Sequence, residues 1–266
     1  MKKYKSKNSL VKPKKKLGQH FLNSSEIAKK IVDCLDTKSI ESVVEIGPGM
    51  GILTQYIIGL GNKTYFVEID SESVEYLKEN YPLIKNSIIE EDFLKLELSD
   101  FKNPIGIIGN FPYNISSQII FKAIENRTLV HTLVGMFQLE VAKRICEGPG
   151  SKTYGILSVL VQAYYETEFM FSLDPLQFTP PPKVNSGVIK LTRKTQLTLN
   201  CDEVFFFKIV KTSFQQRRKT LRNSLKVFNL SNIIKEDVIF DRRPETLSVD
   251  DFVYLTNIIA NGDIST

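Results

Sequence analysis

The sequence predicts an α/β protein in which a parallel sheet is followed by a small helical unit. Three observations favour this class. Short apolar runs alternate with helical patterns in the first half of the chain, the first of these runs ends in a glycine-rich turn, and a stripe of apolar residues at helical spacing occupies the C-terminal part. The chain has 266 residues, which is enough for one large core and a smaller second unit.

The first 16 residues are predicted to form a basic, flexible arm. They contain eight lysines and no acidic residue, and the rest of the chain is net negative although the whole chain has a formal charge of +5. Such an arm is either solvated or bound to phosphate groups. No apolar stretch follows the lysines, as a signal peptide would require, and no apolar run has the length of a membrane span. Three separated cysteines and two histidines give neither a disulfide framework nor a metal site, so we expect a reduced, cytoplasmic protein.

The body of the chain begins with a helix for which Asn23 is the predicted N-cap, because Glu26 follows three residues later. Apolar runs then predict strands at 42–46, 64–69, 86–89, 105–108, 129–136, 167–171 and 187–192. Helical spacing predicts helices at 52–59, 71–80, 116–125, 138–147 and 156–164. The β-α-β-α-β order of the first elements indicates a parallel sheet with helices on both faces.

The polar residues 194–202 mark the predicted domain boundary, which gives a sheet domain at 17–194 and a helical domain at 195–266. One face of the C-terminal helices is apolar and contains Phe207, Val210, Phe214, Leu221, Leu225 and Phe228. Four cations lie to one side of that stripe: Lys211, Arg218, Arg222 and Lys226. A solvated helix face and a phosphate-binding face both remain open for them.

A ligand site is predicted where the first strand ends, because ligands of open parallel sheets bind outside the carboxyl ends of the strands. Residues 45–51 read Glu-Ile-Gly-Pro-Gly-Met-Gly, and Gly47 lets backbone approach a ligand without a Cβ in the way. Glu68 ends the second strand about twenty residues later, where a carboxylate can accept both ribose hydroxyls. Asp92 ends the third strand and is placed to accept from an adenine amino group. Each acid could alternatively be a turn or capping residue.

The glycine spacing discriminates between two cofactors. A dinucleotide site has G-x-G-x-x-G and leaves a helix N-terminus free for pyrophosphate. Here the spacing is G-x-G-x-G, Glu45 precedes it and Pro48 stiffens the turn. Acidic surroundings suit a sulfonium cation better than a diphosphate, so the sequence favours S-adenosylmethionine.

A site for a flat base is predicted at Asn110-Phe111-Pro112-Tyr113, after the fourth strand. The amine of adenine is a poor nucleophile because its lone pair is delocalised into the ring. Asn110 can accept hydrogen bonds from that amine and so favour a more tetrahedral nitrogen. Tyr113 offers a stacking surface for an extruded base, and Pro112 limits backbone freedom. A cofactor facing a stacked base is the arrangement of an adenine methyltransferase, which needs neither a titrating base nor a metal.

With these motifs placed, the chain resembles the ribosomal RNA adenine dimethylase family over nearly its whole length, from Lys14 to the C-terminus, and most resembles the small-subunit branch. The segments that carry the resemblance are 17–22, 45–51, 110–113, 148–152, 178–186 and 216–223. The resemblance implies a class I (Rossmann-like) methyltransferase sheet, a catalytic domain at 17–194 and an RNA-binding helical domain at 195–266. The implied activity is N6,N6-dimethylation of two adjacent adenosines near the 3′ end of small-subunit rRNA during ribosome biogenesis.

The resemblance also implies site residues. Cofactor contacts are expected from His20, Leu22, Gly47, Glu68, Asp92 and Asn110. The base is expected at Asn110, Phe111, Pro112 and Tyr113, with Phe178 as a second wall. Two positions depart from the family pattern: His20 stands where asparagine is frequent, and Phe111 replaces a more usual aliphatic residue.

The expected partner is small-subunit rRNA or a precursor of the small ribosomal subunit, bound by a monomer. Two alternatives stay open at this point. One is the large-subunit rRNA dimethyltransferase branch that confers macrolide resistance. Segments 178–186 and 216–223 favour the small-subunit branch over it. The other is a ribosome assembly factor without catalytic activity. The evidence against it is the presence of all four expected site residues Glu68, Asp92, Asn110 and Tyr113.

Overall fold

The computed structural model describes residues 11–262 and contains a seven-stranded sheet with the order β4-β3-β2-β5-β6-β9-β7. Its strands are β2 (Ser42–Ile46), β3 (Lys63–Glu68), β4 (Ile88–Glu90), β5 (Ile105–Asn110), β6 (Val130–Gln138), β7 (Tyr165–Leu173) and β9 (Ser186–Arg193). The first five strands in this order, from β4 through β3, β2 and β5 to β6, are parallel, as predicted. At the other side of the sheet β9 pairs antiparallel with β6, and β7 pairs antiparallel with β9. Because β7 and β9 are antiparallel, residues 174–185 connect them without a crossover helix.

Helices cover both faces of this sheet. They are α1 (Ser25–Val32), α2 (Thr54–Ile57), α3 (Ser71–Asn80), α4 (Ser116–Glu125), α5 (Leu139–Cys146) and α6 (Ile156–Gln162). All five residues of β2 are buried, and successive side chains enter opposite layers: Val43 packs with α1 and α2, and Val44 packs with α4. The predicted class, an α/β sheet with helices on both faces, is confirmed.

Two local predictions differ from the structure. Ser24, not Asn23, is the N-cap of α1, and its hydroxyl accepts from the backbone N–H of Ile27 at 3.3 Å. Asn23 instead accepts from the Thr179 hydroxyl at 3.0 Å through its side chain. The strand expected at 86–89 begins only at Ile88, because the preceding residues from Pro82 form a 3₁₀ turn.

A short antiparallel pair was not expected from the sequence. Strand β1 (Phe21–Leu22) pairs with β8 (Phe178–Thr179), in the register Phe21 with Thr179 and Leu22 with Phe178. Two residues are too few for a periodic pattern to reveal a strand. This pair ties the N-terminal segment, which borders the cavity described below, to the proline-rich segment that follows β8.

The C-terminal part is helical, as predicted, with α7 (Glu203–Gln215), α8 (Leu221–Ser224), α9 (Asn232–Lys235) and α10 (Val249–Gly262). Its apolar face packs on α6 and shares one continuous core with the sheet. Arg127 holds the junction by an ion pair to Glu203 at 2.6 Å and lies over the Tyr164 ring at 4.3 Å. Because the core is continuous, the boundary between residues 194 and 195 stays a prediction.

The predicted arm at 1–16 falls partly outside the described residues, since residues 1–10 are not among them. Residues 11–16 lie against the sheet domain: Val11 is buried, and the Lys14 ammonium forms ion pairs with Asp70 and Glu72. Within residues 11–262, none of the helices combines the length and the apolar character needed to cross a membrane.

Candidate cofactor and base site

The largest concentration of predicted site residues lies at the carboxyl ends of β2, β3 and β5. The strand order turns back between β2 and β5, so this is the position where open α/β sheets bind ligands. One cavity there is lined by Gly47 after β2, Glu68 at the end of β3, Asp92 after β4 and Asn110 at the end of β5. Residues separated by 63 positions in the sequence are therefore neighbours in space.

The glycine turn forms the floor of this cavity. Gly47 and Gly49 have φ angles of 65° and 56°, which residues other than glycine rarely adopt. A Cβ on Gly47 would point into open space within the cavity, whereas a Cβ on Gly49 would lie 2.8 Å from the ring of Phe21. Gly47 thus leaves room for a ligand, and Gly49 leaves room for the aromatic ring that covers the turn.

Glu68 presents a buried carboxylate to the cavity. Its two oxygens accept from the backbone N–H groups of Gly49 at 3.0 Å and Asp70 at 2.9 Å, so the side chain has a fixed orientation. Burial raises the pKa of this carboxyl above its usual range, although the two backbone hydrogen bonds favour the ionised form. Each oxygen keeps a second lone pair with which it can accept from a ligand hydroxyl.

Glu45 lies in an adjoining cavity that shares Gly47 and Asn110 with the first. The carboxyl group is 1% exposed and accepts from the Thr54 hydroxyl at 2.6 Å. Burial raises the pKa of Glu45 to about 8. As folded, this acid is therefore neutral at pH 7, and a cation placed beside it would favour its ionised form.

Asp92 is a capping residue that also borders the cavity. Its carboxylate caps the 3₁₀ turn that follows by accepting from the Leu94 N–H at 3.0 Å, and the residue lines the cavity. Beside it lies an apolar surface to which Ile69 and Phe93 contribute. Ile69 is 52% exposed at the end of β3, which is unusual for a large aliphatic side chain directly after a buried strand. A flat aromatic ligand would cover this surface.

Asn110 has a defined amide orientation. Its Nδ2 donates to the backbone carbonyl of His20 at 2.6 Å, and a carbonyl can only accept, so the nitrogen side of the amide is assigned. The Oδ1 atom is consequently the free acceptor. The contribution of His20 to this contact comes from its backbone, which an asparagine at the same position would supply equally.

Tyr113 is held between two partners. Its hydroxyl lies 2.5 Å from the Ser186 hydroxyl, and its ring stacks with the His20 imidazole at a centroid distance of 5.8 Å. Burial raises the pKa of Tyr113, so the phenol stays protonated. The His20 Nδ1 atom lies 2.7 Å from the Pro180 carbonyl, and this nitrogen must therefore carry the proton. The ring and the Asn110 amide are thus fixed in advance on one wall of the cavity.

Three predicted site residues, Phe111, Phe178 and Leu22, are largely buried. The Phe111 ring is 1% exposed, fills space above Gly109 and Gly135, where a Cβ would overlap it, and borders the cavity. Phe178 is 2% exposed and packs with Leu22 in the core beneath β1 and β8, and its role as a second wall stays a prediction. Leu22 lines the adjoining cavity together with Glu45 and Gly47.

Sequence reasoning missed the N-terminal segment as a cavity wall beyond His20 and Leu22. The residues that line the cavity there are Lys16, Leu17, Gly18, Gln19 and Phe21. Gly18 has a φ of 64°, and a Cβ on it would lie 2.9 Å from Asn114 Oδ1. The available signal for this wall was Gly18 and the polar residues that follow it, just after the lysines. Asn114, which Gly18 approaches, is distant in the sequence.

The sheet order, the glycine turn and the acids at three strand ends define a class: this is a Rossmann-like methyltransferase fold with a helical C-terminal part. Solved structures with this fold include a dimethyladenosine transferase from Plasmodium falciparum, with a TM-score of 0.80 and 26% identity over 92% of this chain and 98% of that one. The 23S rRNA methyltransferase ErmE has a TM-score of 0.67 and 23% identity over 90% of this chain and 99% of that one, which supports the fold alone.

Sequence comparisons define the family. The family model described as ribosomal RNA adenine dimethylase matches residues 11–261. A protein of Flavobacterium johnsoniae named ribosomal RNA small subunit methyltransferase A is 58% identical over 94% of this chain and 96% of its own length. Its counterpart in Bacteroides thetaiotaomicron is 52% identical over 93% and 94%. The chain belongs to the ribosomal RNA adenine dimethylase family, which confirms the resemblance found in its sequence.

Proposed function

We propose that the protein transfers methyl groups from S-adenosylmethionine to N6 of two adjacent adenosines near the 3′ end of small-subunit rRNA. The observation that carries this proposal is the Asn110 amide, whose nitrogen is bound to the His20 carbonyl and whose oxygen is left to accept from an amine. Relatives that span nearly the whole chain and are named small subunit methyltransferases favour this substrate over large-subunit rRNA.

The cavity fits the proposed cofactor. The open space beside Gly47 admits a ligand chain against the backbone, the Glu68 oxygens can accept from ribose hydroxyls, and the exposed Ile69 side chain suits a flat adenine ring. Asp92 is placed to accept from an amino group at the rim of that surface. When bound, S-adenosylmethionine supplies an electrophilic methyl group on a positively charged sulfur.

The protein's own residues prepare the attacking amine. The Asn110 oxygen accepts a hydrogen bond from N6 and favours a geometry in which the lone pair is available for attack. Tyr113 and the adjoining Pro112 hold a base in place, because the ring is fixed by Ser186 and His20 before any substrate arrives. A general base is not required, since the methylated amine is strongly acidic until it loses its proton.

We propose that a concave, mainly cationic surface contacts the RNA backbone. It is formed by residues of both the sheet part and the helical part of the chain. Three cations and one acid line it, namely Lys152, Arg217, Arg218 and Glu245, and the Arg217 guanidinium donates to the Ser151 carbonyl at 3.2 Å. Cations that share one surface can bind consecutive phosphates without reading sequence. Arg222, by contrast, is paired with Asp241 at 2.7 Å and contributes less free charge than the sequence suggested.

The test uses small-subunit particles from cells that lack this protein, S-adenosylmethionine, and mass spectrometry of the rRNA. Asn110→Ala should lower turnover by about 10²–10³-fold, as removal of a preorganised hydrogen-bonding group does, while cofactor affinity is nearly retained. Asn80→Ala is the matched control, because this exposed amide bonds only within α3.

Three outcomes contradict parts of the proposal. Unchanged turnover by Asn110→Ala removes this residue from the mechanism. Methyl groups found on large-subunit rRNA alone replace the substrate by that of the macrolide-resistance branch. Binding of precursor particles without any methyl transfer by the wild-type protein supports a non-catalytic assembly factor.

A further inference from the structure

Residues 14–20 are a wall of the cofactor cavity that has little regular structure of its own. They consist of a one-turn 3₁₀ helix at Lys15–Leu17, Gly18 in the left-handed region and an extended stretch that leads into β1. Such a segment contributes few backbone hydrogen bonds to hold itself in place. Its position must therefore be set by side-chain contacts to the rest of the domain.

Asp70 supplies these contacts at the start of the segment, while Asn110 and Pro180 hold His20 at its end. The Asp70 side chain is 1% exposed and receives two donors from the segment: the Lys14 ammonium, and the Gln19 amide at 3.0 Å. The same two residues are joined to each other, since the Lys14 backbone N–H donates to Gln19 Oε1 at 2.7 Å. Lys14 also pairs with Glu72 at 3.1 Å at the surface. The contacts form a closed triangle of Lys14, Gln19 and Asp70.

This triangle is continuous with the cavity. Asp70 follows the cavity-lining residues Glu68 and Ile69 directly, and its backbone N–H donates to Glu68 Oε1 at 2.9 Å. Gln19 lines the same cavity. A displacement of the N-terminal segment would therefore alter both the wall and the orientation of the carboxylate proposed to bind the ribose.

We propose that Lys14 and Asp70 are positioning residues that clamp the N-terminal wall onto the cofactor cavity. Lys14 of the lysine-rich segment thereby serves cofactor binding, and phosphate binding is left to its other lysines. This inference rests on the proposed function for the identity of the cofactor. It assigns to one lysine of the basic segment a role that its neighbours do not share.

The discriminating experiment compares Lys14→Met with Lys15→Met in the full chain. Both remove one positive charge from the same turn, but Lys15 is exposed and, among the described residues, makes no ion pair. Lys14→Met should raise the Kd for S-adenosylmethionine, measured by calorimetry, by about tenfold, and Lys15→Met should change it less than twofold. Affinity for small-subunit rRNA should fall in Lys15→Met and change less in Lys14→Met, because the Lys14 charge is already paired with Asp70 and Glu72.

Kinetics and a conservative variant separate positioning from general destabilisation. Lys14→Met should raise KM for the cofactor with kcat within about twofold, whereas Lys14→Arg should restore the wild-type KM because it keeps the charge and the donors. Asp70→Asn should show the same KM increase, and combining it with Lys14→Met should add little, since both break one contact.

Equal cofactor affinities of the Lys14→Met and Lys15→Met variants would overturn the clamp. A lowered melting temperature with unchanged KM would also overturn it and leave Lys14 a purely structural residue. Absence of cofactor binding by the wild-type protein is a different result, because it contradicts the proposed function and not the clamp alone.

Discussion

Replacing Glu45 by glutamine tests whether this buried acid is protonated in the folded protein. The ordinary pKa of 4.5 rises to about 8 because the carboxyl is completely buried. A group whose pKa is higher in the folded than in the unfolded state contributes stability below pH 4.5 and loses it as the pH approaches 8. Glutamine keeps the size and the acceptor for Thr54 but does not titrate.

Between the two pKa values Glu45 is ionised in the unfolded state and protonated in the folded state. The width of this pH interval sets the expected change in the free energy of unfolding. Each pH unit in that interval lowers the stability of the wild type relative to Glu45→Gln by about 1.4 kcal/mol. Between pH 5 and pH 7 the difference in free energy of unfolding should therefore change by about 2.7 kcal/mol in favour of the variant. Burying the glutamine amide nitrogen alters the stability of the variant by an amount that does not depend on pH. It therefore cancels from the change between pH 5 and pH 7.

Urea unfolding of both proteins at pH 5, 6 and 7 measures the difference directly. Glu75→Gln, at an exposed position of α3, controls for the chemical substitution itself. Parallel stability curves for the wild type and Glu45→Gln across this range would refute the reasoning, because they would mean that Glu45 has a similar pKa in the folded and unfolded states.

Two further predictions concern the residues at which the chain departs from the family pattern. Gly135→Ala places a methyl group against the Phe111 ring and should destabilise the protein by about 1–3 kcal/mol in thermal unfolding, whereas adding Phe111→Leu should recover part of the loss. If Gly135→Ala alone melts like the wild type, the ring is not confined as described. His20→Asn should leave the Kd for the cofactor within about twofold, since the contact to Asn110 uses the backbone; a tenfold weaker Kd in calorimetry would instead assign the contact to the imidazole.

The fold was predictable in large part because buried parallel strands and amphipathic helices leave periodic patterns in the sequence. The strand Ser42–Ile46 and the helices Ser71–Asn80 and Ser116–Glu125 were predicted with the bounds that the structure shows. The order of β7 and β9 in the sheet, and the two-residue strands β1 and β8, were not predicted. Pairing partners are chosen by packing between distant segments, which no local pattern records.

The site shows the same division. Gly47, Glu68, Asp92 and Asn110 were recognised because each follows a strand whose end can be read from the sequence, and the structure brings all four to one cavity. The orientation of Phe178 could not be predicted, because a ring next to prolines can face a ligand or the core with the same local sequence. Its burial depends on pairing with Leu22, which lies in another part of the chain.

By itself the sequence determined the α/β class, the family, the strand-end residues of the site and the helical C-terminal part, since these depend on local patterns and residue types. Only the tertiary structure decided that Lys14 is bound to Asp70, that Asn110 presents its oxygen and that burial raises the pKa of Glu45 to about 8. Each of these properties is set by what lies within a few ångströms in space, and hydrogen bonding and burial at that range join residues that are far apart along the chain.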